Sequence, residues 1–297
     1  LGGRIDDRRH HGGTDARRRP HHEPHRTPAQ SDGGVMERRI HPILAAFAAC
    51  VFFFLLAPLV IIVGAAVSDT TYLTFPPQGL TLRWFVNIFE IEAFRTTAIT
   101  SLQVAFLGTA LSLLIGVPAA YAINRYRVEL PRWLSTIFVL PILVPEIVFG
   151  FSLMKSVTIG LGLPIFISLL VGHALLILPY SVRVVGASLA AFDFSVEEAA
   201  ISLGCPPLKT FLTVVLPNIR AGVIAAFILA FITSINDVSV SVFLTGPGIS
   251  TLPIQILAHM EQFFDPTIAS VSVLLMFVTV GVMAVVEATL GLTFLTK

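Results

Sequence analysis

Ionisable side chains stand inside long apolar runs of this 297-residue chain, among them Glu146, His173, Asp237 and Glu287. Charge at membrane depth is costly, so such groups mark either ion pairs or solute pathways. A carboxylate placed there attracts cations, an ammonium group among them. Glu146 follows Pro145 in a stretch whose helix is expected to be irregular, and Asp237 stands beside Asn236 towards the outer end of a later run. Glu146, Asn236 and Asp237 are therefore the candidate substrate-path residues. Each carboxylate also has a structural reading, pairing with a buried polar group or reaching the interface; for Glu287 and His173 that reading is preferred. Lys155, at the outer end of the third apolar run, is expected to snorkel to the headgroups.

Other chemistries lack their residues. Cys50 and Cys205 are far apart and form neither a CxxC pair nor a disulfide framework. No HExxH, GxSxG or ligand-spaced Cys/His set occurs, so no catalytic or metal-binding residue is assigned and a membrane-embedded enzyme is disfavoured. No GxxxxGK[ST] sequence occurs either, so this chain has no phosphate-cradling loop with its lysine. The histidines at 10, 11, 21, 22 and 25 are only a compositional hint of metal binding.

The elements that position these residues follow from composition. Hydrophobic residues make up 55% of the chain and charged residues 12%, against about 25% charged in soluble domains. Mean hydropathy is +0.85. A soluble fold of this size cannot hide so much apolar surface; a bilayer removes the limit. A net charge of +1 gives no pointer to nucleic acid. Segments of about 20 apolar residues span a bilayer as helices, and about six qualify: Ile43–Val67, Ala98–Ile123, Leu134–Met154, Leu163–Leu189, Ala221–Phe243 and Ile268–Leu292. The fold class is all-α, a polytopic membrane protein. Pro141 and Pro145 predict a kinked or broken third helix.

Residues 1–35 differ from the rest, being rich in Arg, His, Pro, Gly and Asp. Such a segment cannot offset its ordering entropy and reads as a disordered or non-native extension. Met36, followed by Glu37-Arg38-Arg39 and an apolar run, is expected to be the first native residue, leaving 36–297 as the transmembrane domain. Arg38, Arg39, Arg125, Arg127, Arg132, Arg183, Lys209, Arg220 and Lys297 fall on one side of this topology, and Arg83, Arg95 and Lys155 on the other. Cationic loops stay in the cytoplasm, so both termini are expected inside. The stretch Gly246–Pro266 carries no Lys or Arg and is expected outside.

The longest cytoplasmic connection, about 190–220, reads AFDFSVEEAAISLGCPPLKTFLTVVLPNIRAG. Ser195 and Glu198 have capping-box spacing, so a helix is expected from Ser195. Gly204 stops it, Pro206 and Pro207 suit the first turn of a second helix, and Pro217 ends that one. The result is a helix–turn–helix with a small-residue face at Ala199 and Ala200.

Glu198-Ala199-Ala200, Gly204 and Val214-Val215-Leu216-Pro217 resemble the EAA loop of binding-protein-dependent ABC importer permeases. The family pattern is EAA, three residues, Gly, nine residues, then Ile-x-Leu-Pro; only Val214, standing for Ile, departs from it. The resemblance covers Ile43 to Thr296. It implies that Glu198, Ala199, Ala200, Gly204, Leu216 and Pro217 couple this chain to a separate ATPase subunit dimer, which would hold ATP and Mg. It also implies a second permease subunit, homologous or identical, an extracytoplasmic solute-binding protein, and residence in a bacterial inner membrane. Ser234-Ile235-Asn236-Asp237-Val238, Val242 to Pro247, Thr251 to Ile256, Pro141 to Phe149 and Leu178-Pro179-Tyr180 look like the spermidine/putrescine permeases of that family. That likeness implies a polycationic solute met by carboxylates and aromatic faces. Polyamine permeases often carry two adjacent acids where this chain has Asn236-Asp237. Aminoalkyl-phosphonate and ferric iron permeases share much of the pattern, and a self-sufficient secondary transporter or channel is the competing class.

Overall fold

A backbone in hydrocarbon must satisfy its own polar groups, and a helix does so within one segment. The computed structural model describes residues 42–126 and 131–290, and no strand occurs among them. The proposed start at Met36, the 1–35 extension, Arg38, Arg39, Arg127 and Lys297 lie outside the described residues. Residues 1–49 and 50–297 separate as two units; the described part of the first is the opening of α1 (Pro42–Ala66).

Short α2 (Arg83–Glu90) precedes the long α3 (Glu92–Arg125). Next come α4 (Arg132–Leu143), α5 (Glu146–Leu153), a π-helical stretch Met154–Gly160, and α6 (Ile165–Ala190). The polar loop holds α7 (Ser195–Ser202), α8 (Pro207–Thr210), a second π stretch Phe211–Val215, and α9 (Leu216–Asn218). The chain ends with α10 (Arg220–Ile235), α11 (Ser241–Leu244), α12 (Leu252–Gln262) and α13 (Thr267–Leu290).

Among the described residues, four helices are long and apolar enough to cross a membrane: α1, α3, α6 and α13. A fifth span is available if Pro207–Asn218 and Arg220–Ile235, bent by 74°, count as one. That is fewer than the about six continuous spans expected, and the shortfall has local causes. The expected third span is split into α4 and α5, because Val144 before Pro145 is extended at ψ 133°, as the pre-proline position favours. The expected fifth span stops at Ile235, where the chain turns through Asn236 and Asp237 before α11. Arg183, counted with the cationic side of the topology and within the expected fourth span, lies inside α6.

Helices α3, α6 and α10 form the centre. Membrane helices pack closely where small residues recur every four positions, and Gly108, Ser112 and Gly116 make such a row on α3. A Cβ at Gly116 would lie 2.8 Å from that of Ser181 on α6, and the hydroxyls of Ser112 and Ser181 are 2.8 Å apart. Leu169, Ile177, Val104 and Ala230 fill the space between.

Candidate functional site

The 190–220 loop folds as a helix–turn–helix, with one correction to how it starts. The Ser195/Glu198 capping box does not form. Instead the Asp193 carboxylate accepts the Ser195 N–H at 3.0 Å. That bond and the Ser195 hydroxyl hold the Asp193 carboxyl below the ordinary carboxylate range. An acid two residues before Ser195 does the capping and frees Glu198 for another partner.

The end of α7 is as expected. Gly204 is left-handed at φ +90°. Cys205 N–H donates to Ala200 C=O at 3.1 Å and Gly204 N–H to Ile201 C=O at 2.9 Å, the paired bonds of a Schellman motif. Pro207 occupies the first turn of α8, where its missing N–H costs nothing. Leu216 and Pro217 open α9 immediately after the π stretch, at the 74° bend into α10.

The tip of this loop is apolar and uncovered: Leu203 is 90% and Leu208 72% exposed, with Val196, Ile201 and Leu212 also exposed. Ala199 is exposed and Ala200 half-buried. An uncovered apolar tip of this kind marks an interaction surface.

The base of the loop is tied to the end of α3 by residues that the sequence reading did not single out. Glu197 is 1% exposed. Its Oε1 accepts a short hydrogen bond from the Tyr121 hydroxyl, and its Oε2 faces Arg125 Nε at 3.4 Å. The same guanidinium donates to exposed Glu198 at 3.0 Å and lies 5.5 Å from the Phe194 ring. A charge-assisted bond to a buried carboxylate is among the stronger contacts a protein makes, whereas the exposed Glu198 arm contributes little.

The second polar cluster joins α6, α10 and α11. Asp237 is 7% exposed. It accepts the N–H of Val240 at 3.3 Å, and one oxygen takes both the N–H and the hydroxyl of Ser241 at 2.8 Å. His173 sits between Ser234 Oγ at 2.8 Å and Ser241 Oγ at 3.0 Å, with Asp237 3.8 Å from Nε2. In this conformation Asp237 caps α11 and steadies His173. Asn236 is exposed, with its amide donating to Ile232 C=O at 2.8 Å. Glu146 is exposed at the first position of α5, where the helix dipole favours an acid. The structure thus puts Glu146 and Asn236 at the breaks of two interrupted spans. Lys155 is exposed in the first π stretch, and the Glu287 side chain lies outside the described residues.

The comparisons agree with this architecture. Residues 108–291 match the family model of the binding-protein-dependent transport system inner membrane component. The spermidine/putrescine transport system permease PotC of Escherichia coli is 30% identical over 200 residues, 67% of this chain and 75% of PotC. PhnV of Salmonella paratyphi A, named for 2-aminoethylphosphonate transport, is 29% identical over 235 residues, 77% of this chain and 87% of PhnV. A solved bacterial ABC transporter that imports alginate superposes with a TM-score of 0.61 at 17% identity, over 84% of this chain and 95% of that one. This chain belongs to the inner membrane component family of binding-protein-dependent transport systems.

Proposed function

We propose that the chain is a permease subunit of an ATP-driven importer of a small solute bearing a primary amine, best read as spermidine or putrescine. The observation that carries the coupling role is the loop at 195–218: a Schellman-closed turn that presents Leu203 and Leu208 to solvent while Glu197 fastens its base to Tyr121 and Arg125. Such a lever passes a push at its tip to α3. ATP would be bound and hydrolysed on a separate ATPase subunit dimer that receives the tip. A second permease subunit would complete the pathway, and a solute-binding protein would deliver the solute. Both termini would lie in the cytoplasm, a reading that the cationic loops support.

The amine reading rests on the relatives and on the acids. Spermidine, putrescine and 2-aminoethylphosphonate all carry a primary amine. Glu146 and Asn236 would line the path at the breaks of the interrupted spans, and Asp237, through His173 and Ser241, would hold the second break in shape. The test is energy-dependent uptake of radiolabelled spermidine and putrescine in cells with and without the gene, with excess aminoethylphosphonate or ferric citrate as competitors. Loss on deletion, restored by the wild-type gene, supports polyamine import. Unchanged uptake in a strain lacking other polyamine systems overturns that substrate, and competition then shows whether the phosphonate or iron reading replaces it.

A further inference from the structure

Residues 255, 259 and 262 recur at helical spacing on one face of α12. That face, with Ala258, the turn into α13 and Ile91, lines an open cavity of about 450 Å³ whose polar and aromatic residues are Gln255, His259, Gln262, Phe263 and Asp265. It is separate from the 195–218 loop and from the Asp237 cluster, and neither site uses its residues. His259 is 8% exposed, and its ring stands 5.0 Å from both Phe94 and Phe263. The ring nitrogen Nε2 is buried without a hydrogen-bond partner, 3.6 Å from Asp265 Oδ1. A buried polar atom without a partner is costly and calls for an explanation.

Asp265 Oδ1 accepts the Thr267 N–H at 2.9 Å, which caps α13 and fixes the carboxylate. The lining contains no Lys or Arg, so an anionic group entering it would meet Asp265 uncompensated. An ammonium group brings three donors and no acceptor. It matches the Asp265 carboxylate and the amide oxygens of Gln255 and Gln262, beside the Phe263 ring.

We propose that this cavity is a binding subsite for a primary alkylammonium group. The proposal deepens the amine-importer reading and rests on it for the identity of the solute. Polyamines and 2-aminoethylphosphonate both supply the group, and in the phosphonate only the amine end fits.

The test is calorimetric titration of putrescine, n-butylamine, 2-aminoethylphosphonate and ethylphosphonate into the purified permease–ATPase complex in nanodiscs, without binding protein. Asp265→Asn keeps the oxygen that caps α13 and removes the charge; Gln262→Leu changes an exposed position and leaves the fold alone. The three amines bind the wild type and ethylphosphonate does not, and both variants weaken amine binding by about tenfold or more. Whether putrescine or 2-aminoethylphosphonate binds tighter identifies the source of the amine. No amine binding to the wild type, or equal affinity in the wild type and both variants, overturns the subsite. If deletion of the gene abolishes polyamine uptake while the variants bind as wild type, the subsite fails and the importer reading stands. If deletion leaves uptake unchanged while the variants lose amine affinity, the subsite stands and the polyamine reading fails.

Discussion

Replacing Gly204 by alanine isolates one backbone conformation. The residue is at φ +90°, and a Cβ built there meets nothing within 4 Å. Steric conflict with the rest of the molecule is therefore absent, and the penalty is the left-handed backbone itself, about 1–2 kcal/mol for a residue with a Cβ. That corresponds to about 5–30-fold in the opening equilibrium of the turn. The two bonds at stake are Cys205 N–H to Ala200 C=O and Gly204 N–H to Ile201 C=O. Asparagine tolerates the left-handed region, so Gly204→Asn separates conformation from side-chain bulk. Hydrogen exchange of the peptide spanning Ala200–Lys209, read by mass spectrometry, measures the opening directly. Protection falls by about 5–30-fold in Gly204→Ala and by less than about threefold in Gly204→Asn. Affinity for the ATPase subunit falls in the same order, by no more than the same factor. Equal protection in Gly204→Ala and wild type refutes the reasoning, and so does a Gly204→Asn variant as damaged as the alanine one.

Four further outcomes follow from the same structure. Tyr121→Phe leaves Glu197 buried without its hydroxyl partner and costs about 1–3 kcal/mol; a double-mutant cycle with Glu197→Gln, followed by unfolding in SDS, gives a coupling of about 0.5–3 kcal/mol. Gly150→Ala puts a Cβ 2.9 Å from Val240 Cα and 3.1 Å from Ser239 O, overpacking α5 by about 1–3 kcal/mol. Gly281→Ala meets nothing within 4 Å and gains up to about 1 kcal/mol in the same SDS assay. The Asp193 carboxyl is lowered from its ordinary value of 3.8 by its bonds to Ser195. Its cap is then complete above that value and is lost as pH falls through the lowered one. Exchange across Ser195–Glu198, corrected for intrinsic rates, stays flat from about pH 8 to 5 and rises only at stronger acid, whereas Asp193→Ala exchanges faster at every pH.

The parts of this protein that local chemistry decides were legible in the sequence. Gly204 and Pro207 each force a backbone choice, and the loop turns where they stand; Pro217, expected to end the second helix, lies inside α9, and the bend comes two residues later at Ile219. The break near Pro145 was legible for the same reason. What depends on partners distant in the chain was not. Capping-box spacing at Ser195 and Glu198 is satisfied on paper, yet Asp193 reaches the Ser195 N–H first and Arg125 draws Glu198 away. Hydropathy carried the fifth span through to Phe243, because it weighs Asn236 and Asp237 as two polar residues in an apolar run. In the structure Asp237 gives its oxygens to Val240 and Ser241, which ends α10 and starts α11. Glu197 escaped notice because only its meeting with Tyr121, 76 positions away in the chain, makes it a tether.

The measurement that tests the coupling account most directly is a cross-link from the loop tip. In a chain with Cys50 and Cys205 replaced by serine, Leu203→Cys is treated with a short bis-maleimide in membranes that also hold the ATPase subunit carrying a single surface cysteine. Leu80→Cys, at an 80% exposed position between α1 and α2, is the control. Adducts with the ATPase from position 203, changing in yield with ATP and absent from position 80, are the predicted result. Adducts from position 80, or none from position 203 in an intact complex, would contradict it.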